Sequence, residues 1–429
     1  MKNNFKKLVA SLVIVLATVT ANAQKSFPVN LESVLKLAGA NNLTVQEYQL
    51  KYQQALADQS KAKEWWLPNI YAGISTHYLN GSAMNTDGKI FTGVNRNNLW
   101  AGLGIAAEID FSKGFYTSIA AKQKSEAINY FSIAEKNKAV LNAIQTYFDL
   151  QAEQLKYVFL QQLVLQSDTL SQQIKIQVDA GLRYQSEYLL AQSNFSHLKI
   201  SMLQAKMEWQ KKSALLVSLL NLESNINLVS ADTSLVPLAF AIQTADSVGF
   251  QKRPEFLGLS SELQSFQTLR KTSNQGLFLP KLKVGFDNGG FGAYTAPLRN
   301  TYQLNASLLW SLPLGRLSYN GDLKQWNTKI LLQQNKVEQF KNQYQQEISL
   351  AVSQLQISEE QMAIAKQAMQ STGEALNQSI ERQKLGTAKS FEVFQAQQFF
   401  MQSQVDWLNA IVEYNKIQYA LKIIQGENL

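Results

Sequence analysis

The 429-residue chain contains no cysteine. Disulfides, thiolate metal sites and lipid attachment to an N-terminal cysteine are therefore excluded. Histidine is nearly absent as well. His77 and His197 have no helical partner for chelating a metal. Charged residues make up 17% of the chain, below the usual quarter, and Gln and Asn fill the gap. The formal net charge is +8. Three of the excess charges, Lys2, Lys6 and Lys7, sit in the first seven residues, and the rest of the chain carries too mild an excess to argue for nucleic acid. Beyond the first residues no run of eighteen apolar residues occurs. If the chain crosses a membrane, it does not do so with hydrophobic helices.

Proline and glycine are missing from long stretches. Residues 115–180 contain neither, nor do 182–236 or 387–425, and 322–385 contain only Gly373. Both residues punctuate helices, so these stretches predict very long helices. At about 1.5 Å per residue, the first would reach about 100 Å. Val140, Ile144, Tyr147, Leu155, Val158 and Leu165 follow one helical face, interrupted by Gln151 and Gln162. Such a narrow stripe suits coiled-coil packing. A spectrin-like soluble bundle fits the helix pattern equally well.

What is present begins with a leader. A basic start precedes the apolar run Leu8–Val19 and the small-residue site Ala21-Asn22-Ala23. Residues 1–23 read as a secretory signal peptide, with the mature chain beginning at Gln24. Four segments of period two follow, at about 67–79, 98–110, 279–289 and 301–313. In each, one face is largely aliphatic and the other small or polar. Ile70, Ala72 and Ile74 alternate with Tyr71, Gly73 and Ser75. Each is about as long as a tilted transmembrane strand. Trp65, Trp66, Tyr78, Phe91, Trp100, Tyr302 and Trp310 lie near the ends, as in interfacial girdles. An ordinary half-buried sheet alternates in the same way. Four strands cannot close a membrane barrel, and an open edge in lipid leaves backbone groups unpaired. The segments are viable in a bilayer only if several chains share one barrel; three copies would supply twelve strands.

The chain repeats itself. GLRYQSEYLLAQSNF from Gly181 and GTAKSFEVFQAQQFF from Gly386 agree at five of fifteen positions, where composition predicts roughly one. LPNIYAGI from Leu67 and LPKLKVGF from Leu279 share Leu, Pro and Gly in register. The layout is a signal peptide at 1–23, a first repeat at 24–222 with a hairpin turn near 178–187, a connecting segment at 223–251, and a second repeat at 252–429 with its turn near 383–392. Each repeat reads helix, strand, strand, long helix, turn, helix.

No enzyme site emerges. Gly102-Leu103-Gly104-Ile105-Ala106-Ala107 fits a loose dinucleotide fingerprint, but it lies inside a strand pattern rather than on a strand-to-helix turn. No Ser-His-Asp order, P-loop or paired carboxylates in an apolar context appear. No cofactor or metal is expected.

In its duplicated layout, its strand-opening Leu-Pro pairs and the turn pattern at Gly181 and Gly386, the chain resembles the TolC-like outer-membrane efflux proteins. The resemblance covers essentially the whole mature chain. It implies a mainly α fold with a small β part, a homotrimer, a twelve-stranded barrel in outer-membrane lipid and a long periplasmic helical barrel. It further implies an exit duct that conducts cargo handed over by an inner-membrane pump and a periplasmic adaptor. Glu187 and Glu392 would stand at the periplasmic entrance constriction, where a carboxylate ring favours cations. The family's second acidic position falls on Gln395. The residues that latch the closed state elsewhere correspond to Gln383 and Ala388, with Arg183 and Tyr184 available as substitutes. Gly181, Leu182, Arg183, Tyr184, Gly386, Thr387, Ala388 and Lys389 would form the hairpin turns and the adaptor contact. The rival expectation is a soluble periplasmic coiled-coil adaptor or scaffold.

Overall fold

The computed structural model describes residues 25–238, 240, 249–294 and 296–427. The leader and Gln24 lie outside them. In order, the elements are β1 (Lys25–Val29), α1 (Leu31–Asn41), α2 (Leu43–Lys63), β2 (Asn69–Met84), β3 (Ile90–Asp110), α3 (Phe111–Asp179), α4 (Gln185–Leu219), β4 (Ile226–Ser230), α5 (Pro254–Thr272), β5 (Lys281–Ala293), β6 (Arg299–Leu309), α6 (Leu314–Tyr319), α7 (Gly321–Lys384) and α8 (Ser390–Ile424). The four longest helices occupy the stretches that lack proline and hold almost no glycine. Absence of breakers leaves nothing to stop the hydrogen-bond ladder. The described residues are therefore mainly helical with a small β part. They divide into two compact units.

One unit comprises residues 48–133 and 254–342. Its centre is an antiparallel sheet in the order β2-β3-β5-β6. Leu67-Pro68 and Leu279-Pro280 stand just ahead of β2 and β5, where the missing proline N–H disturbs no ladder. The register joins the aliphatic positions on one face. Ile70 pairs with Ile105, Ile105 with Phe286, and Phe286 with Leu304. That face is uncovered: Ile70, Ile74 and Leu304 are 77%, 76% and 72% exposed.

The opposite face carries the small and charged residues. Lys281 pairs with Asp110 at 3.0 Å and Lys283 with Glu108 at 3.5 Å. Gly102 and Gly104 lie within β3, as expected. The Tyr71 ring lies over Gly104, where a Cβ would collide with it, and the Tyr71 hydroxyl donates to Asp287. The aromatic ring covers the glycine's missing side chain.

Two expectations for the sheet need correction. β2 and β3 run to Met84 and from Ile90, well past the boundaries read from alternation. A register shift between Gly81 and Ala83 breaks the period of two there and hides the extension. Trp65 is not a girdle residue. It packs edge-on against Phe111 and fills the space above Gly114. Trp66, by contrast, is exposed.

The other unit comprises residues 25–47, 134–253 and 343–427 among those described. Its core gathers Ile144, Tyr147 and Leu150 of α3 with Leu216 of α4, Leu220 just past its end, Val34 of α1 and Leu228 of β4. β1 and β4 form a parallel two-stranded sheet beside it. The Tyr147 hydroxyl meets Asp232 at 2.5 Å and Ser230 at 3.0 Å. Burial, then the bond to Asp232, pushes its pKa above the ordinary phenol range. Lys416 bridges Asp149 at 2.6 Å and Glu413 at 3.0 Å. Burial alone would lower its pKa, but these carboxylates outweigh it and raise the value.

The α3 seam differs from the stripe read in the sequence. Val140, Ile144, Tyr147 and Gln151 are buried, but Val158 and Leu165 are exposed. Below Gln151 the buried positions become Leu160, Leu163, Ser167, Leu170 and Ile174. That set keeps three- and four-residue spacing on a different face, where Leu170 and Ile174 pack against residues of α4, α7 and α8. Gln151 does not interrupt the seam. It is buried and donates to the Ser234 carbonyl at 3.0 Å.

Candidate functional site: the two hairpin tips

Both repeat motifs form the tip of a helical hairpin in the second unit. α3 ends and α4 begins around Gly181; α7 ends and α8 begins around Gly386. The two turns share one backbone solution. The Gly181 N–H bonds the Val178 carbonyl and the Leu182 N–H the Gln177 carbonyl, at 2.9 and 2.8 Å. The Gly386 N–H bonds the Gln383 carbonyl and the Thr387 N–H the Arg382 carbonyl, at 3.0 and 2.9 Å. This is a Schellman cap, which requires left-handed backbone at its pivot. Gly181 has φ +72° and Gly386 has φ +75°. Glycine adopts these angles without the strain any side chain would bring.

A small apolar core holds the hairpins. Leu170 and Ile174 of α3 and Ala191 of α4 pack with Leu376 of α7 and Val393 and Phe394 of α8. Asn194 donates to Gln397 at 2.8 Å within the buried layer. The identities Ala191/Ala396, Gln192/Gln397 and Phe195/Phe400 belong to this packing zone, so part of the repeated motif is structural.

The two carboxylates of the motif stand in unlike settings. Glu187 accepts from Arg183 at 2.6 Å and from the Ser390 hydroxyl at 3.0 Å. Arg183 also donates to Ser390 Oγ at 3.1 Å. This closed trio ties the α3–α4 tip to the start of α8. Its charged side chains are 13% exposed for Arg183 and 27% for Glu187. Glu392 is more open. It meets Arg382 at 3.3 Å across its own hairpin and accepts from the Lys389 N–H at 3.2 Å, as a carboxylate does in a helix's first turn.

Glu392 lines a cavity of about 300 Å³ with Gln395, Ala396, Phe399, Thr372 and Ala375. Glu392, Gln395 and Phe399 recur at three- and four-residue steps, which places them on one face of α8. The structure thus joins Glu392 to Gln395 and separates both from Glu187, which faces Arg183 and Ser390 instead.

The remaining candidates sort by exposure. Gly181, Leu182, Tyr184, Gly386, Thr387 and Lys389 are exposed. Ala388 is not: it is 5% exposed, so its side chain offers no contact surface at the turn. Gln383 is 2% exposed, and its Nε2 has no hydrogen-bond partner among the described residues. Neither latch position presents a side chain at the surface. The cross-hairpin tie runs through Arg183, Glu187 and Ser390. Ser390 carries no local mark of this tie, because serine at a helix start reads as an ordinary terminal residue; it is buried rather than an exposed turn residue. Arg382 was equally silent; basic residues are common in a last helical turn.

Comparison with known proteins accords with this architecture. Residues 34–222 match the family model of the outer membrane efflux proteins. No curated protein matches the sequence. Among solved structures, the CmeC outer membrane channel of Campylobacter jejuni is 19% identical, with a TM-score of 0.74 over 92% of this chain and 85% of that one. The MtrE outer membrane channel of Neisseria gonorrhoeae, in its open state, is 14% identical, with a TM-score of 0.77 over 93% and 89%. The outer membrane protein VceC of Vibrio cholerae is 14% identical, with a TM-score of 0.75 over 93% and 96%. At such identities the likeness is one of fold, and it extends through both repeats. Residues 34–222 thus match the outer membrane efflux proteins in sequence, and the described residues share the fold of these outer-membrane channels.

Proposed function

We propose that three copies pool their sheets into one twelve-stranded barrel in the outer membrane and that their helices continue as a periplasmic tunnel. The chain then serves as the passive exit duct of a tripartite efflux or type I secretion system. One observation carries this reading: the four-stranded sheet has an uncovered aliphatic face and two open edges, β2 and β6. In lipid such edges are tolerable only when paired with another chain. Helical stripes point the same way. Leu350, Ile357 and Ile364 of α7 are exposed at seven-residue spacing, the pattern of a seam awaiting a second helix.

At the tip, Glu392 and Gln395 supply the entrance constriction, and a threefold set of Glu392 carboxylates favours cations. Glu187 positions the hairpins rather than lining the passage. Leu182, Tyr184, Leu385 and Thr387 form the exposed surface available to a periplasmic adaptor, which links the duct to an inner-membrane pump. Fractionation tests the placement. The protein should resist high-salt extraction from outer membranes and leave them in detergent as a trimer. Recovery as a soluble monomer would remove the proposal. Deleting the gene and profiling sensitivity to dyes, antibiotics, detergents and metals would then identify the cargo class.

A further inference from the structure

Where the sheet meets the helices, a polar cavity of about 210 Å³ opens between Asp110, Ser112, Lys113, Lys281, Ser311 and Arg316, with Leu279 at its side. Its charges balance unevenly. Asp110 is already engaged, capping α3 through the Lys113 N–H at 3.0 Å and pairing with Lys281 at 3.0 Å. Arg316 pairs with Asp322 through Nε at 3.1 Å, which leaves its two terminal nitrogens uncommitted. The Lys113 ammonium lies within electrostatic reach of the same Asp110 carboxylate, which Lys281 already pairs, and forms no ion pair of its own among the described residues. One positive charge is therefore in excess, accompanied by the hydroxyls of Ser112 and Ser311. Phe278, Trp310, Leu312 and Leu314, chain neighbours of lining residues, are all exposed.

We infer that this cavity binds a phosphate-bearing anion, held by Lys113, Arg316 and the hydroxyls of Ser112 and Ser311. A guanidinium fork and an ammonium together suit phosphate oxygens, and one excess charge matches a phosphodiester. Two sources share that chemistry. A phospholipid headgroup would place its phosphate in the cavity and leave its acyl chains outside it. A free phosphate or phosphorylated cargo would use the cavity alone. The lipid source rests on the outer-membrane placement proposed above; the anion site itself does not.

The test uses purified full-length protein in a neutral detergent, so its outcome is independent of whether the chain forms an export duct. Binding of short-chain phosphatidylglycerol and of inorganic phosphate is titrated in separate arms. Lys113→Gln with Arg316→Gln should weaken binding at least about tenfold, and Lys113→Arg should retain it. Saturable phosphatidylglycerol binding that inorganic phosphate does not match identifies a headgroup. Equal binding of both, with the same loss in the double variant, identifies a free-phosphate site. Absence of saturable binding in either arm, or binding unchanged by the double variant, overturns the inference.

Discussion

The two hairpin tips have one backbone and two chemistries. Their caps agree in hydrogen-bond pattern, and their pivots differ by only a few degrees of φ. Their carboxylates, six residues past each glycine, diverge. Glu187 is enclosed by Arg183 and Ser390, whereas Glu392 lies beside a cavity with Gln395 and Phe399. Duplication preserved what the backbone requires and released what the side chains do. A repeat in sequence therefore locates a shared turn but does not certify a shared role.

Four perturbations sharpen or break that contrast. The largest effect is expected at Glu187. Replacing it with Ala leaves Arg183 mostly buried without its counter-ion, which should destabilise the tip locally by about 2 kcal/mol. Hydrogen exchange of the amides around residues 183–190 would report it. Glu392→Ala removes an exposed pair and should cost under about 1 kcal/mol. Equal losses at both sites would erase the distinction. Next come the pivots. Gly181→Ala and Gly386→Ala should each cost about 1 kcal/mol, and the two should match, because both impose left-handed backbone on a side chain. Unequal losses would show that the caps are not equivalent.

Ser390→Ala should cost about 1 kcal/mol and loosen the tie between α8 and the α3–α4 tip, again read by exchange. The smallest effect on stability, but the most direct on function, belongs to Glu392→Gln. It should reduce the preference for cations over anions in single-channel recordings, while Glu187→Gln leaves that preference nearly unchanged. A larger selectivity change from Glu187→Gln would reverse the assignment of the two residues.

Much of the fold could be read from residue order because its signals are local. The long helices follow from missing breakers, and the two-faced strands from alternation around the Leu-Pro pairs. What escaped lacks a local signature. Lys25–Val29 pairs in parallel with Ile226–Ser230, across about two hundred residues of chain. Nothing in Lys-Ser-Phe-Pro-Val announces that partner. The lower α3 seam was misphased because Val158 and Leu165 are as apolar as the residues that replace them in the core. Exposed apolar residues on a helix read as its buried face until the neighbouring helices are known. At the tip, the glycines and both glutamates were legible. The difference between the glutamates was not, since it depends on Ser390, which reaches Glu187 from the other hairpin.

The absence of native cysteine makes one measurement direct. Cysteines introduced at the two sheet edges, Ser75→Cys in β2 and Ser307→Cys in β6, are joined in outer membranes by a short bis-maleimide. Shared closure of the sheets predicts covalent species of two and three chain masses. Products of a single chain mass alone, with both cysteines consumed, would mean that each sheet closes on itself and would contradict the account.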